Sequence, residues 1–477
     1  MQVTELKRRS YRNGELNTLS KLVQDLGLSE AFGAEASLIG ADPLLRSPHR
    51  LGEATAQALL LEGMAASAIW KMRTNENSSL EIKIVDALHA LHSTHFLWQS
   101  GYPMSVGAES VPTNGIFKCK DNRFIMTESG PPYTKLERGY LNFFDCGNNR
   151  ESLAREILKF NAEELQEKLS ALGLPASVAY SRDEWWAHPQ GQALAARPVV
   201  EIEKIGEGKA MGFAGDSKYP LSGIKVLDFT HVLAGPRSMR SMAQYGAEVL
   251  HISSPYHRDT VSQNLLVNIG KRSAYLLLSE KSARQRLKEL IANADIFSFS
   301  YRPSVAERFE IDAKTLAEQH PGMIYLSVNA YGHSGPWKDR PGFDHNVQVA
   351  SGVAVTEGGA DAPRLSPVFY LNDFLTGYLA AAGVLSALLR RACEGGSYHV
   401  KVSLARTAMW VQELGYLNPE EYKEMPEKDE YPANLHEIET AYGILKELAP
   451  AVHFTQLPRM LLHTAKAFGA DKAEWLS

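Results

Sequence analysis

From Ile224 onward, short apolar runs alternate with amphipathic stretches, the pattern of strands separated by helices. Ile224–Phe229, Glu248–Ile252, Tyr275–Leu278, Ile296–Ser300 and Met323–Val328 read as strands, and Ser282–Ala292 as a helix on one face. Ala234-Gly235-Pro236 opens another helix, with proline in the first turn where its missing N–H costs nothing, and Gly246 closes it before the next strand. This alternation predicts an α/β fold with a doubly wound, Rossmann-like parallel sheet, in which ligands bind beyond the carboxyl ends of the strands. A long apolar helix follows over Phe374–Arg391, with Asp373 in the place of an N-cap.

The first 200 residues are patterned differently. Around Gly63 a run of small and apolar residues, Glu62 to Lys71, leads through a polar turn to Glu81-Ile82-Lys83-Ile84. Around Gly383 the run Ala382 to Arg390 leads in the same way to His399-Val400-Lys401-Val402. Each reads as helix, turn and short alternating strand, an internal echo that suggests duplication. Between the copies, Asn114–Ile125 has two apolar runs about Asp121-Asn122, as a hairpin has, and helical patterns follow over Arg150–Leu172 and around Glu184-Trp185-Trp186. This is the signature of a small α+β domain. Ile205–Gly223 and the acidic, proline-interrupted Asn418–Pro432 read as linkers, and the remaining tail as a docking helix.

Composition narrows the class of function. With 44% hydrophobic and 22% charged residues the 477-residue chain is globular, and its formal charge of −5 provides no basic surface for nucleic acid. No apolar run long enough to span a membrane is free of charge, and the N-terminal residues lack the apolar segment of a secretory signal. Three cysteines, Cys119, Cys146 and Cys393, have neither disulfide-framework nor zinc spacing, which fits a reducing, cytoplasmic compartment and no metal.

One series of motifs runs through Val226-Leu227-Asp228-Phe229-Thr230-His231-Val232-Leu233-Ala234-Gly235-Pro236, Tyr245-Gly246-Ala247-Glu248-Val249 and Gly270-Lys271-Arg272-Ser273. It continues with Arg302-Pro303-Ser304-Val305-Ala306-Glu307-Arg308, Tyr331-Gly332-His333-Ser334-Gly335-Pro336, Pro341-Gly342-Phe343-Asp344 and Asp373-Phe374-Leu375-Thr376-Gly377. In order and spacing the region Ile224 to about Met409 resembles the large domain of the family III CoA-transferases, the group of formyl-CoA and carnitine-CoA transferases and α-methylacyl-CoA racemases. The stretch from Leu51 to His92 resembles the end of such a large domain, and Asn114 to Ile202 the small one. The resemblance implies a rearranged or fused two-copy member. Its first-copy helical remnant is expected at 1–108, the small α+β domain at 109–204, a linker at 205–222, the CoA-binding large domain at 223–416, a second linker at 417–445 and a docking tail at 446–477. Family members are interlocked homodimers, so the chain is expected to be a homodimer or a monomeric fused pseudo-dimer with one competent site.

The resemblance also implies roles. Asp373 stands where the family has its nucleophile, a carboxylate that attacks an acyl-CoA thioester and then holds CoA as an aspartyl thioester open to a second carboxylic acid. Lys271 and Arg272 stand where the family meets the CoA phosphates, chemistry that paired cations suit. Arg302 and Pro303 border the adenine in relatives, Arg308 reaches a phosphate, and the loop His231, Val232, Leu233 and Ala234 offers backbone N–H groups to the ligand. Tyr331, Gly332, His333 and His345 complete the expected CoA site. The racemase acid/base histidine falls at Phe343, which cannot transfer a proton, so racemisation is disfavoured; His345, two places along, reads as a hydrogen-bonded loop residue. Glu53 stands opposite Asp373 in the first copy, one methylene longer, and reads as a surface helix cap. The family's glycine-rich small-domain loop is not found between Asn114 and Ile202. The expected activity is CoA transfer between an acyl-CoA and a carboxylic acid. The alternatives are lyase, hydratase or isomerase chemistry with Asp373 as general base, or a non-catalytic CoA-binding protein.

Overall fold

The computed structural model describes residues 7–104, 111–130, 133–213, 215–216, 218–256, 259–460 and 465–476; the expected boundary at 108/109 and the first six residues lie outside them. Six parallel strands form the centre of the molecule, in the spatial order Arg272–Tyr275, Glu248–Ser253, Lys225–Phe229, Ile296–Phe299, Ile324–Asn329 and Ser397–Ser403. Counted along the chain this is the order 3-2-1-4-5-6 of a doubly wound sheet. Val226 is paired with Val249 on one side and with Ile296 on the other. Ile296–Phe299 is buried along its whole length, as a strand covered on both faces must be. Glu201–Gly206 closes the far edge antiparallel to Ser397–Ser403, so part of the segment read as a linker is in fact a strand.

Two elements differ from their expected positions for reasons of pairing. The strand read at Tyr275–Leu278 lies at Arg272–Tyr275, where Leu250–Ser253 pairs with it; Leu276 and Leu278 instead leave the sheet and pack on the core around Ile291. The expected helix over 150–172 is two helices, Arg150–Ile157 and Ala162–Ala171, because the Asp121 carboxylate accepts the Ala162 N–H at 3.1 Å and starts the second one afresh. The hairpin predicted about Asp121-Asn122 is formed by Gly115–Lys118 and Phe124–Thr127, and Ala176–Val178 completes its sheet.

The C-terminal region holds strands where a linker and a helix were expected. Leu435–Thr440 and Gly443–Leu448 form a hairpin against Trp98–Gln99, and Val452–Phe454 pairs with Leu80–Lys83. Residues 465–476 contain no helix and lie along the sheet's edge strand, with the Ser273 N–H bonded to the Asp471 carboxylate at 2.9 Å and the Asp471 N–H to the Ser273 carbonyl at 2.7 Å. An edge that would otherwise expose unpaired backbone is thereby covered.

The internal echo has a three-dimensional counterpart. Leu51–Thr74 and Leu371–Glu394 are both 24-residue helices, packed against each other in the middle of the molecule. Their first residues, Leu51 and Leu371, are 320 positions apart, and so are Ile84 and Leu404, which begin the next helices. The intervening strand is parallel to an earlier one in both halves, Leu80–Lys83 to Ala36–Ile39 and Ser397–Ser403 to Ile324–Asn329, and each has an antiparallel partner on its other side. Leu371–Glu394 is apolar enough to cross a membrane by length and composition, yet it is buried inside the protein from Leu371 to Leu389.

Candidate active site

The sheet order reverses between Lys225–Phe229 and Ile296–Phe299, so the loops leaving these two strands diverge and open a crevice. A cleft of about 260 Å³ lies there, lined by His231, Val232, Ala234, Ser300, Tyr301, Arg302 and Pro303, with Asp373 from the long helix and Arg340 and Phe343 from a third loop. The His231 imidazole stacks on the Tyr301 ring, centroids 4.3 Å apart and planes 11° from parallel, and its Nδ1 is 2.8 Å from the Ser300 hydroxyl. Val232 has φ of 65°, a left-handed conformation that costs a β-branched residue energy. Its N–H is held by Asp259 at 2.9 Å, and Asp259 also accepts the Tyr133 hydroxyl at 2.8 Å. Tyr133 comes from the small unit and stacks on Phe343 at 5.8 Å, so a small-unit loop does reach the mouth of the cleft, although it is not glycine-rich.

Asp373 is 6% exposed and is the third residue of its helix, which begins at Leu371. It is therefore not the N-cap. Asp344 supplies that function, its Oδ2 accepting the Asp373 N–H at 2.7 Å while Oδ1 accepts from the Gln348 amide at 2.6 Å. Four residues on, Gly377 lets the helix approach the cleft loop: a Cβ there would lie 2.9 Å from the Ala234 carbonyl oxygen. Burial, reinforced by the nearby charges of Asp344 and Glu128, pushes the Asp373 carboxyl well above the usual range, and His345 works against that rise. Asp344, buried likewise, is raised to about 6.

Glu128 and Asp344 thus set the surroundings of Asp373, although neither was given a role from sequence. Asp344 sits inside a matched motif, which was a usable signal; Glu128 follows the hairpin strand Phe124–Thr127 with no distinguishing spacing. His345 is buried behind Asp373 rather than in the cleft, with Nδ1 2.8 Å from Glu128 and Nε2 3.1 Å from the Phe369 carbonyl.

Several expected ligand contacts stand elsewhere. The Lys271 ammonium is 2% exposed and bonds to Asp228 at 2.9 Å, the Pro236 carbonyl at 2.7 Å and Asn268 at 2.8 Å, so all three of its hydrogens are used inside the fold. Arg272 is held by Glu248 at 3.3 Å and by tail carbonyls at Lys472 and Glu474. Arg308 lies over Phe309 in a separate groove beside the helix Lys281–Ile291. Leu233 is fully buried, and the Tyr331 hydroxyl is bonded to Ser177 at 2.7 Å. Gly332 and His333 line a neighbouring polar groove with Lys401 and Arg406. Glu53, read as a surface cap, is only 9% exposed and is clamped by Arg9 at 2.8 Å and Arg50 at 3.6 Å.

Among known proteins, residues 221–444 match the description "CoA-transferase family III". The chain is 29% identical over 362 residues to an acetyl-coenzyme A transferase of Hypoxylon pulicicidum, covering 71% of this chain and 61% of the relative. It is 27% identical to an acyl-CoA transferase of Gibberella moniliformis, covering 67% of this chain and 60% of that one. It is also 32% identical to an acetyl-CoA:oxalate CoA-transferase of Acetobacter aceti, covering 39% and 51%. The chain spans about three fifths of the length of the first two relatives. With the sheet order, the cleft at its reversal and the buried Asp373 beside it, these matches lead to one conclusion: through residues 221–444, the chain is similar to CoA-transferase family III.

Proposed function

We propose that the chain transfers CoA from an acyl-CoA thioester to a free carboxylic acid, with Asp373 as the nucleophile. The observation that carries this reading is a carboxyl group at the floor of the switch-point cleft, backbone-anchored by Asp344 and made more basic by burial. An Asp373 oxygen attacks the thioester carbonyl, the C–S bond breaks, and CoA thiolate leaves behind a mixed anhydride. The thiolate then attacks the aspartyl carbonyl, releasing the donor carboxylate and forming the aspartyl-CoA thioester. An acceptor carboxylate reverses both steps on its own carbon, ending as acyl-CoA with Asp373 free. Buried carboxylates are poorly solvated, which favours attack at a carbonyl over idle pairing with water. His231 and Tyr301, stacked at the crevice wall, and Arg302 at its rim are the groups we assign to the CoA nucleotide.

The test is intact-mass analysis after incubation with a panel of acyl-CoAs. The native chain is expected to gain the mass of an enzyme-bound CoA thioester that hydroxylamine removes, and Asp373→Ala is expected to show neither the adduct nor exchange. Exchange persisting in Asp373→Ala would overturn the reading. The basicity of Asp373 favours a second reading, general-base chemistry on a bound CoA ester. That reading predicts solvent deuterium at the acyl α-carbon without an adduct.

We further propose that the N-terminal unit is a degenerate second copy and that the chain is a fused pseudo-dimer with one competent site. Supporting this, the Glu53 N–H is accepted by Asp42 at 2.8 Å just as the Asp373 N–H is accepted by Asp344, at the third residue of each long helix. Glu53 is neutralised by Arg9, whereas Asp373 opens on a cleft. Sedimentation is expected to give a monomer, with one CoA equivalent trapped per chain.

A further inference from the structure

His345 presents both ring nitrogens to atoms that only accept hydrogen bonds, a Glu128 carboxylate oxygen at 2.8 Å and the Phe369 carbonyl oxygen at 3.1 Å. A nitrogen facing a carbonyl must carry hydrogen, and one facing an ionised carboxylate must do so too. The ring is 1% exposed and is fixed by Phe369 and Tyr370, whose centroids lie 4.1 Å and 5.4 Å away. Tyr370 directly precedes the helix that bears Asp373. The Phe369 carbonyl also accepts the Gln348 amide at 2.9 Å, and Gln348 in turn bonds to Asp344 at 2.6 Å. One hydrogen-bonded network therefore joins Glu128 of the small unit, His345, and the residue that anchors Asp373.

We propose that His345 is a standing imidazolium, a positioning residue that supplies the positive charge against which Asp373 ionises, and that Glu128 is the group holding the proton on it. The only neutral-ring alternative places the proton on Glu128, and the negative charge of Asp344 and Asp373 on the same side favours the ring instead. Burial alone would depress His345, yet Glu128, with Asp344 and Asp373 beyond it, outweighs burial and pushes it up to about 9. Among the described residues, the charged side chains of the other elements packed on the helix Asp344–Ala350 are turned to partners of their own. Glu357 is turned to Ser47 and His49, Arg406 to Glu413 and the Arg197 carbonyl, and Ala176–Val178 carries no ionisable side chain. With both nitrogens committed, His345 has no free proton-transfer site for the cleft, and its effect on reaction is the charge it places beside Asp373.

The assignment of charge stands on the geometry, while its effect on rate rests on Asp373 as nucleophile, and two measurements separate these. In protein labelled with ¹⁵N-histidine, the signal lost in His345→Gln should report hydrogen on both ring nitrogens up to pH 8. A bare nitrogen at pH 7 overturns the proposal whatever the activity. In the pH profile of kcat/KM for CoA exchange, His345→Gln should move the acidic limb up by a unit or more with kcat regained at high pH, and Glu128→Gln should move it down. An equal loss of kcat at every pH would mark a purely structural histidine and overturn the proposal. Should His345→Gln fail to fold, Glu128→Gln serves both readouts: its ¹⁵N titration should drop by more than one unit, and an unchanged titration overturns the assignment. Loss of the transferase reading itself would appear separately, as exchange surviving in Asp373→Ala while the ¹⁵N result stands.

Discussion

Asp373 and Glu53 occupy the same place on two paired helices, and what surrounds each decides its chemistry. Asp373 faces a cleft among other carboxylates and is raised by burial, so it holds a proton more tightly than an exposed carboxyl does. Glu53 is joined to Arg9 and Arg50, an arrangement that stabilises charge and leaves nothing to react. Glu53→Gln should leave CoA exchange within twofold of native and cost about 1–3 kcal/mol, because the half-buried Arg9 loses its carboxylate partner and keeps only the Gly40 carbonyl; chemical denaturation and an exchange assay check this. Asp42 gives a second handle. Burial pushes it up to about 7, against the pull of the Glu53 and Gly52 N–H groups. A carboxyl raised in the folded state binds more protons there than in the unfolded chain, so its contribution is full below pH 4 and is lost as pH rises to about 7. Asp42→Asn should therefore flatten the fall in Tm between pH 4 and pH 7, and an unchanged slope would contradict it. Of these residues only Asp373 was legible as chemistry, because its motif is local. Asp344 and Glu128 reach it across 29 and 245 positions of chain, distances that no sequence window spans.

The elements respond to neighbours as much as to their own pattern. Gly377 is invisible as a requirement in an apolar helix, yet the Ala234 carbonyl and the Arg237 side chain crowd the space its Cβ would fill. Gly377→Ala should cost about 1–3 kcal/mol and raise KM for acyl-CoA severalfold with kcat less affected, since the helix and the cleft loop must part. Unfolding and steady-state kinetics measure the two effects. The central strands were readable because burial on both faces forces continuous apolar runs. The exception, the strand at Arg272–Tyr275, is short and polar and is defined by its neighbour and by the tail on its other edge. The hairpin at Leu435–Leu448 was read past because its charged residues alternate on an exposed face, which resembles a linker when its partner Trp98–Gln99 is not in view.

At the scale of the whole molecule, the main core runs from Leu16 through both long helices to Ala465 and includes residues of the small unit, with a second cluster around Ile291. Because the N-terminal, small and large units share that main core, thermal unfolding followed by tryptophan fluorescence and by far-ultraviolet dichroism should superimpose. A separate early transition of the N-terminal unit would contradict it. The sequence by itself determined the parallel-sheet class and the family resemblance and singled out Asp373 as the candidate carboxylate, because hydrophobic period and linear motifs are properties of neighbouring residues. Only the tertiary structure decided that Lys271 and Arg272 are consumed inside the fold, that Asp344 caps the Asp373 helix, and that Glu128 and His345 stand behind it. A side chain's charge and availability depend on which groups lie within a few ångströms, and that is settled by packing rather than by order along the chain.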